Sequence, residues 1–469
     1  MSDIHTLSAC ELRTAYARKK LSPRDIAEAA LQQIEKLEPR LNAFALRAAV
    51  EEVRASAAAS ERRWTEGAPL GPLDGIPITI KDAIRTKGWP TLAGSRTVDP
   101  NQPWTEDAPA VARARESGAI FLGKTTTPEF GWKAVTDSPK YGVTRNPWNL
   151  ARTPGGSSGG SAAALAAGIG HAAIGTDAAG SVRIPAAFCG LVALKATTGR
   201  IPTYPPSALG RMGHIGPICR TVDDAAMMLQ MMSRPDARDW SALPPTSEDF
   251  QAALPSLKGL RIAFSPTLGY AKVDPEVAQI VNATVRLLED AGASIDQVEA
   301  PFPDPTEAAL TMFIAGIAHS QRHLDEAALR TLDPGLRDVI ARSSSVDRTV
   351  YMTALDGQIA LTRNNRLFHQ TYDILLTPTL AVAAFDVGRN APEGYEGENW
   401  MSWTPFTYPF NMTGQPAATV PCGLTADRLP VGLQIVGDLY ADARVLQVAR
   451  IVEGLSPFQR AVPACLTSI

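Results

Sequence analysis

Residues 154–183 read PGGSSGGSAAALAAGIGHAAIGTDAAGSVR. No other stretch of the chain combines so many glycines, serines and alanines with so few charges. It opens as a glycine-serine loop, continues as a helix of small residues, passes through a short apolar piece (His171 to Thr176), and ends in a second tight turn, Asp177 to Ser181. Such runs occur where backbone must approach something closely, because glycine has no side chain to hold the neighbour off. A flexible linker fits poorly, since Leu165, Ile169 and Ile174 supply apolar anchors and Asp177 and Arg183 supply placed charges. A phosphate-cradling loop wants spaced glycines after a strand, whereas Asn146 to Thr153 is polar and broken by proline. Gly155 to Gly159 formally matches G-x-S-x-G, but that nucleophile elbow needs a buried strand leading into it, and none is read there.

The run GGSSGGSAA, followed by GTDAAGSVRIPAAFCGLVALKATTGR, resembles the signature of the amidase signature family. Ser157 and Ser181 stand 24 positions apart, the separation seen in that family. Upstream, Gly75 to Asp82 reads GIPITIKD and ends on Lys81, where the family has its lysine. The resemblance is close over Leu70 to Met232 and Thr404 to Gly454, loose over the N-terminal portion, and not recognisable over most of Arg234 to Asn399. It implies an α/β fold: a single large domain with a central mixed, mostly parallel β-sheet sandwiched between helical layers. Residues 1–65 would be a helical scaffold packed on the 66–469 domain, with 234–399 a variable substrate-specificity region inside it. It further implies hydrolysis of a small aryl or acyl amide, with Ser181 as nucleophile, Ser157 as proton relay after a cis peptide from Gly156, and Lys81 as the neutral base. No metal or cofactor is called for.

Further expectations attach to the same resemblance. The turn Ala178-Ala179-Gly180-Ser181 would aim backbone N–H groups at a developing oxyanion. Ser158, Thr176 and Asp177 would hold the two loops in register, and Arg183 would bond loop carbonyls. Two departures stand out: Ala179 where the family usually has glycine, and Ala196 where it has proline. Neither removes a catalytic group. Rival functions are an esterase using the same triad, the glutaminase subunit of a tRNA-dependent amidotransferase, and a non-catalytic assembly subunit. The intact Lys81, Ser157 and Ser181 argue against the last.

Composition excludes other classes. With 20% charged residues and a net charge of −3, the chain has nothing that attracts nucleic acid or an anionic membrane in bulk. The cysteines, at 10, 189, 219, 422 and 465, are odd in number and scattered, which speaks against a disulfide framework and fits a reducing, cytoplasmic compartment. The first twenty residues lack an apolar signal core, and no uncharged run approaches the ~18 residues of a membrane span. The partner expected is a small-molecule amide, with a homodimer left open.

Along the chain, Ser8 and Glu11 form a capping box, predicting a helix over Ala9–Lys19. Ser22-Pro23 opens a second helix, and a third runs from about Leu46 to Trp64. Ile76, Ile78 and Ile80 alternate with Pro77, Thr79 and Lys81, so a strand here points Lys81 away from the isoleucines. Residues 118–125, GAIFLGKT, match the P-loop pattern, but the strand falls where the phosphate cradle should be, so ATP binding is rejected. The loop Thr126 to Asn149 offers Trp132 as a pocket residue. Arg200 to Arg220 reads as a long irregular binding or lid segment carrying Tyr204. Thr221 and Asp224 box the helix Val222–Met232. Leu260 to Val298 reads as a βαβ unit. In the helical stretch Thr306 to Gln370, Phe313, His319 and His323 face a possible tunnel, and HSQRH lacks the glutamate of a zinc-binding H-E-x-x-H. Gly388 to Met401 reads as mobile, with Trp400 and Trp403 as pocket candidates. Paired strands follow Thr404, and Asp442 caps a last helix to about Gly454.

Overall fold

The computed structural model describes residues 4–395, 400–458 and 461–467. The strands are β1 (Phe44–Arg47), β2 (Pro77–Lys81), β3 (Ile120–Thr125), β4 (Asp137–Ser138), β5 (Gly142–Val143), β6 (Ala172–Asp177), β7 (Val192–Lys195), β8 (His214–Cys219), β9 (Arg261–Phe264), β10 (Ser294–Gln297), β11 (Ile374–Pro378), β12 (Ala417–Leu424) and β13 (Pro430–Gly437). Eleven of them form one sheet in the order β1-β3-β2-β6-β8-β7-β12-β13-β11-β9-β10, while β4 and β5 pair apart. The central strands are largely apolar and almost wholly buried because helices cover both faces, the polar exceptions including Lys81, Asp177, His214 and Gln434.

Three helices come first: α1 (Ala9–Ala17), α2 (Pro23–Leu41) and α3 (Val50–Glu66). The predicted Ser8–Glu11 box forms, and the second helix starts at Pro23 as read, with a box at Ser22 that the sequence reading missed. Ser8 accepts from Glu11 N while Glu11 reaches back to Ser8 N, and Ser22 does the same with Asp25. One face of the sheet is then covered by α1, α4 (Pro109–Glu116), the long helix Asp442–Leu455 and two others introduced below; Ile76, Ile78 and Ile80 belong to this core. On the other face lie α2 and α3, which pack with α5 (Gly159–Ala166) on Ile120 and Leu122, together with α6 (Arg183–Cys189). The two others on the first face are α7 (Val222–Met232), whose methionines are buried core, and α8 (Pro275–Asp290). Against α6 and the end of the sheet sits a second core built on α9 (Thr306–Ser320) and the helix Arg348–Phe368. No described helix is long and apolar enough to cross a membrane.

The sheet is mixed, but not mostly parallel as expected. Parallel pairs join β2 to β3 and β6, and β9 to β10 and β11. The antiparallel pairs are more numerous: β1·β3, β6·β8, β7·β8, β7·β12, β12·β13 and β11·β13. The parallel pairs are those with crossover helices between them. The rest arise because β8 runs back between β6 and β7, and because β12 and β13 are joined by a short turn.

Other expectations are corrected in detail. Residues 44–47, partly assigned to the third helix, pair as β1 with β3. The irregular stretch expected over Arg200 to Arg220 ends at Gly213, and His214–Cys219 is a central strand; Gly216-Pro217 within it disguises the strand pattern. Asp442 does not cap its helix, since its carboxylate accepts from Thr197 N and Thr197 Oγ1, both at 2.7 Å. Thr221 caps α7 as read, but Asp224 turns to α1, accepting from Ala9 N at 3.1 Å and Cys10 N at 2.9 Å. Residues 396–399 of the stretch read as mobile lie outside the described residues.

Asp224 is fully buried, and a buried donor left without its acceptor costs about 1–3 kcal/mol. Asp224→Ala is therefore expected to lower the thermal unfolding midpoint by several degrees, and Asp224→Asn, which keeps one acceptor oxygen, by less; scanning calorimetry of the three proteins checks this.

Candidate active site

Parallel pairing of β2 with β6 (Ile78 opposite Ala172, Ile80 opposite Ile174) brings the carboxyl ends of the two strands together. Lys81, the last residue of β2, is fully buried on the face opposite the isoleucines. Its Nζ donates to Ser157 Oγ at 2.6 Å and to Thr176 Oγ1, near the end of β6, at 2.7 Å. Burial pushes the ammonium down from 10.5 to about 7, against the opposing pull of the Asp177 carboxylate.

The glycine-serine loop is folded by close approach. A Cβ on Gly156 would stand 2.8 Å from the Val135 carbonyl, and one on Gly159 would stand 2.2 Å from Thr136 Oγ1. Thr136 also donates to Gly155 O and accepts from Gly159 N. The Gly156–Ser157 peptide is cis. Ser158 ties the loop to the second turn: its N–H donates to Ser181 O at 3.1 Å, and its hydroxyl meets the backbone of Thr176.

The second turn hangs on Asp177 and Arg183, both fully buried. The guanidinium donates to both carboxylate oxygens at 3.0 Å. The carboxylate also accepts from Gly180 N at 2.7 Å and Val182 N at 3.3 Å. Burial raises the Asp177 carboxyl, but the adjoining guanidinium outweighs it and holds the group well below the usual carboxylate range. Arg183 further donates to Thr407 O, Gln434 Oε1 and Asn411 Oδ1, so it bonds one loop carbonyl, not several. Asn411 Nδ2 closes the ring by donating to Asp177 O and Oδ1. Gly180 has φ +118°, and a Cβ there would meet Thr407 at 2.5 Å. Ala179 has no positive φ, so the departure from glycine at that position costs the turn nothing.

Ser157 and Ser181 open into a cleft of about 730 Å³, lined on the inner side by Phe130, Leu209, Phe313, Ile317 and Trp400. Phe313 and Trp400 meet edge to face at 5.1 Å. Tyr204 lines the cleft with Arg238 over its ring. The charged side chains on its walls, Arg85 and Asp99, are exposed.

Three assignments change. Trp132 is not a cleft residue; it is buried against Gly335, where a Cβ would stand 2.3 Å from its ring. Trp403 is stacked on Phe188 at 5.8 Å and meets Phe385 edge-on, away from the cleft. Gly180 N–H is committed to Asp177, which leaves Ala178, Ala179 and Ser181 as the turn residues that line the cleft. His323 lies at the cleft while His319 faces solvent. Sequence reading missed Thr407, Asn411, Gln434 and Gly131. A Cβ on Gly131 would stand 3.1 Å from Ser157 Oγ. Gln434 left a signal, as a lone polar residue in the apolar run LPVGLQIVG.

Lys124 and Lys195 are also fully buried, and burial lowers them to about 8 and about 7. Lys195 bonds the carbonyls of Ala196 and Gln415, and Lys124 bonds Ile84 O, Thr86 and Thr91. Lys81 alone of the three meets a signature serine.

A fully buried lysine thus meets two hydroxyls, one of them that of a loop serine that lines a cleft beside a second serine turn. The amidase family model matches residues 25–446. The chain is 40% identical to an acylamidase of Rhodococcus erythropolis over 98% of both proteins. It is 35% identical to a glutamyl-tRNA(Gln) amidotransferase subunit of Nitratidesulfovibrio vulgaris, over 97% of this chain and 98% of that one. The crystal structure of a bacterial aryl acylamidase of the amidase signature family superposes with a TM-score of 0.90 at 29% identity, covering 99% of each chain. The chain belongs to the amidase signature family and is a hydrolase acting on amide C–N bonds.

Removing Arg183 leaves the Asp177 charge buried without its partner, a loss of about 3–5 kcal/mol. Arg183→Ala is expected to shift the denaturation midpoint strongly downward, measured by urea unfolding followed by circular dichroism.

Proposed function

We propose that the protein is an acylamidase that cleaves small, apolar carboxamides, anilides among them, through an acyl-enzyme on Ser181. The contact that carries this reading is Lys81 Nζ to Ser157 Oγ at 2.6 Å, with Ser157 itself lining the cleft. A carbonyl can hold a lysine but cannot pass a proton on; a hydroxyl can do both. Lys81 is thereby set apart from Lys195, and from Lys124 because the hydroxyls that Lys124 meets belong to Thr86 and Thr91, not to a serine of the two turns.

In this reading neutral Lys81 draws the Ser157 proton while Ser157 takes that of Ser181, and Ser181 Oγ adds to the amide carbonyl carbon. Negative charge collects on the carbonyl oxygen, and backbone N–H groups from among Ala178, Ala179 and Ser181 stabilise it. The proton returns through Ser157 to the departing nitrogen, which leaves as amine or ammonia. Water then repeats the sequence on the acyl-enzyme and releases a carboxylate. Thr176 holds the lysine on its second side, and Asp177 keeps the turn aimed through Gly180 and Val182.

Cleft chemistry favours this over a glutaminase. Free glutamine brings an ammonium and a carboxylate, which need charged partners once out of water. Around Ser181 the walls are aromatic, aliphatic and neutral, and the charges on the cleft wall are exposed.

Amine or ammonia release from glutamine, aliphatic amides, anilides and matching esters tests the reading. The lone chain is expected to cleave anilides, and Ser181→Ala to abolish turnover and fluorophosphonate labelling. Reaction with glutamine alone, or only after partner chains are added, overturns it. Lys81 is lowered to about 7 and must be neutral to act, so kcat/KM is expected to rise as pH passes through that value and to level above it. Lys81→Ala should remove that limb and lower kcat by about 10²–10⁴-fold.

A further inference from the structure

Gly316 lies inside α9 in ordinary helical conformation. Glycine is a poorer helix former than alanine there, so the residue needs another reason. A Cβ at 316 would stand 2.5 Å from Leu209 Cδ2 and 2.8 Å from Ala208 O. These two residues form the tip of a strap, Thr203 to Gly213, that leads into β8. At its base Thr203 N donates to Asp239 Oδ2 at 2.7 Å, and the Arg238 guanidinium lies 5.0 Å over the Tyr204 ring. The strap also closes on itself, since a Cβ on Gly213 would stand 2.2 Å from Ser207. Its base is thus pinned by polar contacts, and its tip rests on α9 at the one residue of that helix that has no side chain. Phe313 and Ile317, three residues before and one after, line the cleft together with Leu209.

We propose that Gly316 is a specificity-determining residue: by letting Ala208 and Leu209 sit directly on α9, it sets the girth of the substrate group that fits between the strap and the Phe313–Trp400 pair. This rests on the reading of the cleft as an amide-substrate site. A methyl group at 316 points at the strap, not into the cleft, so it lifts the strap and widens the site. The selected group is apolar, because its walls are, and its size is limited by a backbone contact that cannot swing away as a side chain would.

The test compares wild type, Gly316→Ala and Leu209→Ala. Leu209→Ala widens the same gap by removing atoms and adds no clash. For each, kcat/KM is measured on anilides of increasing acyl length and of increasing ring substitution. Labelling rates with short-chain and long-chain alkyl fluorophosphonates are measured alongside. Both variants are expected to raise the ratio of bulky to small reagents by about tenfold, the scale set by one methylene in an apolar pocket. Labelling of Ser181 with no change of that ratio in either variant overturns the proposal and leaves the amidase reading standing. Turnover of glutamine alone, with labelling that still shifts towards long chains, overturns the acylamidase reading and keeps the gate. A chain that takes no label in any form overturns both.

Discussion

The buried ion pair of Asp177 and Arg183 is the contact on which this site depends. Neither charge meets solvent, so each needs the other, and every remaining lone pair and proton needs a partner as well. The molecule answers with distant groups for Arg183, from Thr407, Asn411 and Gln434, and with the local N–H groups of Gly180 and Val182 for Asp177. The consequence is geometric. Ser181 sits between Gly180 and Val182, so its backbone is held on both sides by one carboxylate. The same carboxylate raises the Lys81 pKa against burial, so one buried charge both aims the serine turn and moderates the lysine.

The glycine-serine loop meets this turn through Ser158, and β2 brings the lysine from the other side. The three elements converge because β2 and β6 are adjacent and parallel, which puts both carboxyl ends at the same end of the sheet. Small residues are the other half of the design. The loop can lie against the backbone of Val135 and the side chain of Thr136 only because positions 156 and 159 have no Cβ.

Much of this was legible in the sequence where the signal is local. Lys81 ends an alternating strand, the two serines sit in runs of small residues, and the cap at Ser8 is written in four consecutive residues. What was hidden is what lies far along the chain. Asn411 and Gln434 reach Arg183 across 228 and 251 residues, and no periodicity announces such a meeting. β8 was concealed by Gly216-Pro217, because its neighbours β6 and β7 supply the pairing that its own composition does not advertise. Trp132 and Trp403 were misread for a related reason: a tryptophan near a site looks the same in sequence whether it faces a cleft or fills the core behind it. Direction of the strands was the largest misjudgement: the resemblance implied a mostly parallel sheet, and the antiparallel pairings made by β8, β12 and β13 outweigh the parallel ones.

The attachment of α1 reaches beyond the finished molecule. Its first backbone N–H groups are satisfied by Asp224, 215 residues further on. A chain leaving the ribosome from its N-terminus therefore makes this helix long before it makes the residue that docks it. Until Asp224 has been synthesised, the first-turn N–H groups of α1 lack that acceptor, although Tyr16 meets Trp64 and Gly75 O much earlier in the chain. Contacts of such long sequence separation form late. The start of α1 is thus fastened only once the chain has reached α7.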